Sequence, residues 1–120
     1  MFDYLMTQDQ KNLRDEARAF TKWVPKQLIL DMDAEKIQFP HEYLAEASRR
    51  NLLGIRLPKE YGGRGLGWVD DAIVAEKIGV ASYSLACLWG VGADIVCRLL
   101  LENKKEELKQ KVVVPLLKGE

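Results

Sequence analysis

Residues 84–101 read SLACLWGVGADIVCRLLL, an apolar run without proline that decides the fold class. A run of this kind is typical of a helix buried in the middle of a helical protein. It is 18 residues long, whereas spanning a bilayer takes about 20 apolar residues. It also carries Asp94 and Arg98 at the i,i+4 spacing of an ion pair on one helix. We therefore predict a buried central helix and no membrane span.

Helix signals continue on both sides of this run. Thr7, followed three residues later by Gln10, is typical of a capping box. Pro25 and Pro40 each stand where proline opens a new helix at its first turn. The predicted helices in the second half of the chain are the fourth at about Trp68 to Gly79, the fifth at residues 84–101 and the sixth towards Leu117.

The fold class follows from the same pattern. No alternating run is long enough to indicate a strand. The prediction is an all-α fold, most simply an up-and-down bundle of about six helices with the fifth helix buried at its centre. The 120 residues suffice for one hydrophobic core, so residues 1–120 are predicted to form a single domain.

Charge and cysteine content exclude several classes of function. Lysine plus arginine and aspartate plus glutamate number 18 each, whereas nucleic-acid binders carry a basic excess on one face. Cys87 and Cys97 stand ten residues apart on one predicted helix. That spacing is about 15 Å, beyond disulfide reach. With no cluster of metal-ligand residues, we expect no metal, no nucleic acid and a reducing, cytoplasmic location.

Residues 55–67, IRLPKEYGGRGLG, form the one long irregular stretch. Gly63 and Gly65 fit the first two positions of the dinucleotide fingerprint, but Trp68 stands at the third and no strand precedes them. We interpret the glycines as a tight turn rather than a cofactor site. His41, the one histidine, has no nucleophile near it in sequence, so no catalytic residue is predicted.

One stripe of the fifth helix lacks side-chain volume. Glycine within a helix costs about 0.5–1 kcal/mol relative to alanine, so Gly90 needs a reason. Close approach of a neighbouring helix is one, and a groove for a slender apolar ligand is another. The residues alone favour packing and leave both alternatives open. The stripe consists of Ala86, Gly90, Ala93 and Cys97.

The irregular stretch and its flanks resemble a known family. Leu53-Gly54-Ile55, Pro58 and Glu60-Tyr61-Gly62-Gly63-Arg64-Gly65-Leu66 are similar to a block in the N-terminal domain of acyl-CoA dehydrogenases. Val24-Pro25, Phe39-Pro40 and the closing segment to Glu120 extend the match along nearly the whole chain. The resemblance implies a structural role for the residues of the block, namely Gly54, Pro58, Tyr61, Gly62, Gly63 and Gly65.

The resemblance implies a fold and a reaction for the whole protein. Family members add a β-rich middle domain and a C-terminal helical domain, and they assemble as homo-oligomers. A glutamate, in most members from the C-terminal domain, abstracts the α proton of an acyl-CoA, FAD accepts the β hydride, and an electron-transfer flavoprotein takes the electrons. Because those domains are not among these 120 residues, we expect this piece alone to bind no FAD and to be inactive.

In the family the long helix of this domain walls one side of the acyl pocket. The resemblance places that wall, within about one residue, at Ala86, Cys87, Gly90, Val91 and Asp94. It raises the groove alternative above packing. A carboxylate beside an aliphatic chain is costly unless it is paired. Asp94 and Arg98 either pair with each other or face the pocket, where they favour a short, polar or acidic-tailed acyl group.

Three other functions stay open at this point. An acyl-CoA oxidase or an enoyl-CoA reductase of the same superfamily differs from a dehydrogenase in parts outside these residues. A non-catalytic helical interaction module that keeps this fold belongs to a different class. Only sequence beyond Glu120 distinguishes an enzyme from such a module.

Overall fold

The computed structural model describes residues 2–120. No strand occurs among these residues. Short 3₁₀ turns lie at Asp3–Leu5 and Lys59–Tyr61. The six helices are α1 Gln8–Trp23, α2 Lys26–Asp33, α3 His41–Arg49, α4 Trp68–Gly79, α5 Tyr83–Leu101 and α6 at residues 106–117. The predicted all-α fold with about six helices is confirmed.

Helix α1 begins at the predicted capping box. Thr7 Oγ1 accepts a hydrogen bond from the Gln10 backbone N–H at 3.2 Å, and the Thr7 N–H donates to Gln10 Oε1 at 3.0 Å. The two bonds satisfy two donors that the first turn of a helix leaves free. The buried face that follows packs mainly against α4 and consists of Leu13, Ala17 and Phe20.

Helix α5 packs between α4 and α6 and is central in that sense. Its burial is confined to one stripe, whose members recur every four residues. On the opposite side Val91, Ile95 and Leu99 are 50%, 55% and 66% exposed. The helix predicted to be buried is therefore buried on one side only. The buried stripe consists of Leu85, Trp89, Ala93 and Cys97.

Two hydrogen bonds tie α5 to the third helix and its following segment. The Tyr43 hydroxyl donates to the Leu85 carbonyl oxygen at 3.3 Å, and Trp89 Nε1 donates to the Leu52 carbonyl oxygen at 2.7 Å. All four residues are buried. Each bond satisfies a polar atom of an aromatic side chain inside the core, where an unpaired donor is costly.

Part of α5 and part of α6 are wound more widely than an α-helix. Val91–Val96 in α5 and Lys109–Val113 in α6 form π turns. A π turn bonds residue i to i+5 and is often found at functional sites. In α5 the widened segment includes two of the predicted pocket residues, Val91 and Asp94.

Among residues 2–120, α5 is the one helix long and apolar enough to cross a membrane. Length and composition are weak evidence, because the core helix of a soluble protein passes the same test. Here the helix is packed on one side by the rest of the domain.

The chain forms a slab with extents of 43, 40 and 19 Å. A helix with its side chains is about 10–12 Å across, so the slab is about two helices thick. In so thin a body most helices have one side on a broad face. The exposed side of α5 carries Val91, Ile95 and Leu99.

Residues 54–67 fold into the predicted tight turn between α3 and α4. Gly62 has a φ of 99°, which L residues with side chains rarely adopt. Gly63 approaches the chain closely: an added Cβ would lie 2.2 Å from the Leu57 carbonyl oxygen. The Gly65 N–H donates to that same oxygen at 2.8 Å. Backbone geometry at Gly62 and close approach at Gly63 thus favour glycine at these two positions.

Candidate functional site

The five residues predicted to wall the acyl pocket lie on one flank of α5. Cys87 is exposed, Val91 is 50% exposed, and Ala86 and Gly90 are half-buried. The Asp94 side chain is 28% exposed. We call these five residues the wall flank. The structure brings them together on an open surface of the described chain, and their contact with an acyl group stays a prediction.

The glycines of α5 distinguish between the two explanations for its small residues. An added Cβ at Gly90 would meet nothing within 4 Å, and one at Gly92 would meet Leu116 Cδ2 at 3.6 Å. Packing against a neighbouring helix therefore does not explain Gly90 within residues 2–120. Open space beside Gly90 favours the groove alternative.

An apolar cavity of about 270 Å³ also lies against α5. Val91 is the member of the wall flank that lines it. The cavity runs between α5 and the end of α6, and its other lining residues include Phe39, Leu44, Leu53, Trp89 and Leu116. Small apolar volume is thus available beside the widened segment of α5.

Asp94 pairs with Arg56 rather than with Arg98. Arg56 Nη2 donates to Asp94 Oδ2, and Arg56 Nε donates to Asp71 Oδ2 at 3.3 Å. The Arg56 side chain is 4% exposed. Of the two alternatives for Asp94 and Arg98, the i,i+4 pair is not formed among the described residues, because Asp94 pairs with the buried guanidinium of Arg56 instead.

Trp68 covers the guanidinium of Arg56. The Arg56 Cζ lies 3.4 Å from the centroid of the Trp68 ring, and the Arg98 Cζ lies 5.4 Å from it. An arginine over an indole face is held by cation–π attraction. Trp68 itself is 68% exposed. We call Arg56, Trp68, Asp71 and Asp94 the Arg56 cluster.

Two carboxylates share the one guanidinium of Arg56. Burial and the nearby charge of Asp94 raise the pKa of Asp71, and Arg56 opposes them. Arg56 Nη1 is buried and has no hydrogen-bond acceptor among the residues that the structure describes. The cluster is therefore tightly held through one edge of the guanidinium and unsatisfied at the other.

Sequence reasoning missed Arg56. The residue lies in the irregular stretch, 38 positions before Asp94, where no helical period relates the two. One signal was available: Arg56 stands between Ile55 and Leu57, both of which are buried. An arginine between two core residues is expected to be covered and therefore to have a charged partner.

The glycine turn does not offer a phosphate site. The N–H groups of Gly62, Gly63 and Gly65 donate to carbonyl oxygens of Lys59, Pro58 and Leu57 within the turn. A phosphate-binding loop needs such groups free and directed at the ligand. The residues of this turn therefore do not fit the diphosphate of FAD. The Tyr61 hydroxyl instead ties the turn to α6, donating to Glu106 Oε2 at 2.9 Å.

The described residues hold no set of side chains suited to bind a metal ion. Within residues 2–120 no group of three or more histidine, cysteine, aspartate or glutamate side chains stands close enough to hold an ion. Both cysteines are free, Cys87 exposed and Cys97 buried. Burial raises the pKa of the Cys97 thiol to about 11.

We expect the two thiols to differ sharply in reactivity. At pH 8 iodoacetamide should modify Cys87 and leave Cys97 intact, because the thiolate is the reactive form and Cys97 is both covered and protonated. Mass spectrometry of the labelled chain measures this, with Cys87→Ser as control. Equal labelling of both thiols in the folded chain at pH 8 would contradict this difference in reactivity.

The same thiol links stability to pH. Because the pKa of Cys97 is raised on folding from 9.0 to about 11, its contribution to stability is complete below pH 9 and is lost as pH rises towards 11.

Comparison with known proteins identifies the family of this chain. Residues 7–120 match the family model of the acyl-CoA dehydrogenase N-terminal domain. The chain is 30% identical over 118 residues to the short-chain specific acyl-CoA dehydrogenase of Clostridium acetobutylicum, covering 98% of this chain and 31% of the relative. To mitochondrial isovaleryl-CoA dehydrogenases it is 41% identical over 70 residues in Solanum tuberosum (58% of this chain, 17% of the relative) and 28% over 117 residues in Pongo abelii (96% and 27%). The chain spans about a third of the length of the curated relatives it matches, or less.

Proposed function

Since the chain belongs to the acyl-CoA dehydrogenase family as its N-terminal domain, we propose that it forms one wall of the acyl pocket of an FAD-dependent enzyme. The reaction is α,β-dehydrogenation of an acyl-CoA thioester. The observation that carries the proposal is the family match over residues 7–120. The relatives named above act, by their names, on short-chain acyl-CoA and isovaleryl-CoA.

The wall flank supports this role by its shape. Ala86 and Gly90 leave little side-chain volume on the flank, and the space beside Gly90 is open. Ligand pockets are lined mainly by apolar side chains with a few polar groups to orient the ligand. Four small or apolar residues followed by the single carboxylate of Asp94 fit that description.

The chain contributes position and water exclusion in this proposal. FAD, when bound elsewhere in the protein, supplies the hydride acceptor. In the proposal the base and the flavin site belong to other domains, so the part of this domain is to bind and orient the acyl group. Its α5 holds one side of the acyl chain and keeps water from it, which helps to orient the reacting carbons.

The proposal extends to partners and location. The acyl-CoA is the substrate, an electron-transfer flavoprotein accepts the electrons, and the enzyme is a homo-oligomer in the cytoplasm. The free thiols of Cys87 and Cys97 are consistent with a reducing compartment. The exposed apolar side chains of Ile95 and Leu99 support further protein contact along α5.

Gly90→Leu tests the wall. In the whole protein we expect kcat/KM for butyryl-CoA to fall by about tenfold or more, because the added side chain enters the space where the acyl group lies. The fold is expected to persist, since leucine is a better helix former than glycine by about 0.5–1 kcal/mol and the added Cβ meets nothing within 4 Å. Steady-state kinetics with butyryl-CoA measures the effect.

Gly79→Leu is the matched control. A Cβ at Gly79 also meets nothing within 4 Å, but Gly79 is the last residue of α4 and is not part of the wall flank on α5. Its kcat/KM should stay near that of the unchanged protein, and equal losses in the two variants would contradict the wall assignment.

Residues 1–120 alone, mixed with FAD and filtered, should retain no flavin absorbance. A yellow preparation of that piece would contradict the division of roles.

A further inference from the structure

Asp94 is the one charged residue of the wall flank, and Arg56 holds it. We propose that Arg56 determines acyl specificity, fixing Asp94 as a carboxylate at one end of the wall so that the site takes a short, uncharged acyl chain. The inference rests on the proposed function. It assigns a specificity-determining role to a residue outside the wall flank.

The geometry makes Asp94 a fixed group. Nε and Nη2 lie on one edge of the guanidinium, and both donate to carboxylates, on Asp71 and Asp94. Trp68 covers the flat face at 3.4 Å. Arg56 is 4% exposed and cannot lose its proton in a protein. Arg56 therefore stays charged and can hold Asp94 in one orientation.

The charge balance explains why a carboxylate-ended acyl group is excluded. The Arg56 guanidinium is shared by the carboxylates of Asp71 and Asp94, so Asp94 keeps part of its hydrogen-bonding capacity unused on the side away from Arg56. The Asp94 side chain is 28% exposed and its Oδ1 accepts no hydrogen bond among the described residues. A second carboxylate approaching it meets a like charge at short range. Arg98 lies over Trp68 at 5.4 Å from the ring, on an exposed part of α5, and it does not pair with Asp94.

The same group limits chain length. An aliphatic chain can lie along Ala86, Gly90 and Val91 without displacing water from a charge. Beyond Val91 it reaches Asp94 and must strip water from the free Oδ1, and desolvating a carboxylate without a compensating hydrogen bond is costly. The chain is therefore expected to end before Asp94, which favours short acyl groups.

The test measures kcat/KM of the whole protein on butyryl-CoA, octanoyl-CoA and glutaryl-CoA. The unchanged protein should prefer butyryl-CoA to each of the others by about tenfold or more. In the double variant Arg56→Leu/Asp94→Leu the ratio of octanoyl-CoA to butyryl-CoA should rise by about tenfold or more. Asp94→Asn should improve glutaryl-CoA selectively. Arg56→Lys keeps the charge but not the planar fork that reaches both Asp71 and Asp94, so it should weaken the preference for butyryl-CoA, though less than the double variant does.

A second measurement tests the Arg56–Asp94 pair independently of the reaction. Unfolding of residues 1–120 carrying Arg56→Leu, Asp94→Leu or both should show coupling of about tenfold in the unfolding equilibrium constant. Additive effects would overturn the pair itself. An unchanged chain-length ratio in the double variant, or a natural preference for octanoyl-CoA or glutaryl-CoA, would overturn the specificity role. If the unchanged protein with FAD oxidises none of the three, the proposed function fails and takes the specificity role with it, while the coupling result still decides the pair.

Discussion

Replacing Gly63 with alanine is expected to lower the free energy of unfolding by about 3 kcal/mol or more. The added Cβ would lie 2.2 Å from the Leu57 carbonyl oxygen and 2.5 Å from its carbon. Those atoms are backbone, and the Gly65 N–H holds the same oxygen at 2.8 Å. The turn cannot yield without losing that bond and moving Leu57, which is 2% exposed in the core. Urea unfolding followed by circular dichroism measures the loss.

The matched control is Gly79→Ala. At this position the same added methyl group meets nothing within 4 Å, and the residue is the last of α4. Its stability should stay level or rise by up to about 1 kcal/mol, because alanine is the better helix former. Losses of similar size at the two positions would show that close approach at Gly63 is not the cause.

Phe20→Ala is expected to cost about 3–5 kcal/mol of unfolding free energy, as for other buried phenylalanines cut to alanine. Phe20 is 0% exposed and sits on the face of α1 that packs against α4. Its ring centroid lies 5.1 Å from that of Tyr43 and 6.0 Å from that of Trp23. Removing the ring therefore leaves a cavity between three elements at once, which the same unfolding experiment would detect.

Phe2→Ala makes the same chemical change at the surface. Phe2 is 60% exposed, so the stability should change by no more than about 0.5 kcal/mol. A loss at Phe20 as small as this would mean that the packing of α1 on α4 contributes little. A loss at Phe2 as large as that expected for Phe20 would mean that the N-terminal turn is part of the core.

The helices with local signals were predictable from sequence. Thr7 and Gln10 marked the start of α1 because a capping box is built from neighbours in sequence. The predicted fourth helix, Trp68–Gly79, has the observed bounds. Its two ends are marked by glycines and by the loss of helical spacing. Both signals are read within a few residues of the boundary.

The buried side of α5 could not be read in the same way. Its sequence is apolar on nearly every side, so periodicity cannot choose the stripe that faces the core. The small-residue stripe shares Ala93 and Cys97 with the core. In the first half of the helix, however, the core takes Leu85 and Trp89 rather than Ala86 and Gly90. Packing of α4 and α6 against the helix decides that choice, and neither neighbour is visible in the run itself.

The partner of Asp94 was out of reach for a related reason. Spacing within one helix suggested Arg98, four residues away, and a short-range rule is the only one that sequence supplies. Arg56 reaches Asp94 only after the glycine turn has folded back against α5, 38 residues along the chain. Long-range pairs of this kind depend on the whole fold, so the charge of the wall flank emerges only from the structure.

The π turn of α5 has a consequence for how related chains vary in length. A π turn holds one more residue than the α turn it replaces. A deletion inside Val91–Val96 can be absorbed by converting that turn to α-helix, with Trp89 and Cys97 keeping their places on either side. An insertion elsewhere in the helix would instead rotate every later side chain by about 100°. Helix α5 thus has a point where one residue can be lost without turning the rest of the helix, and gapless superposition of two such helices would misassign every position on one side of it.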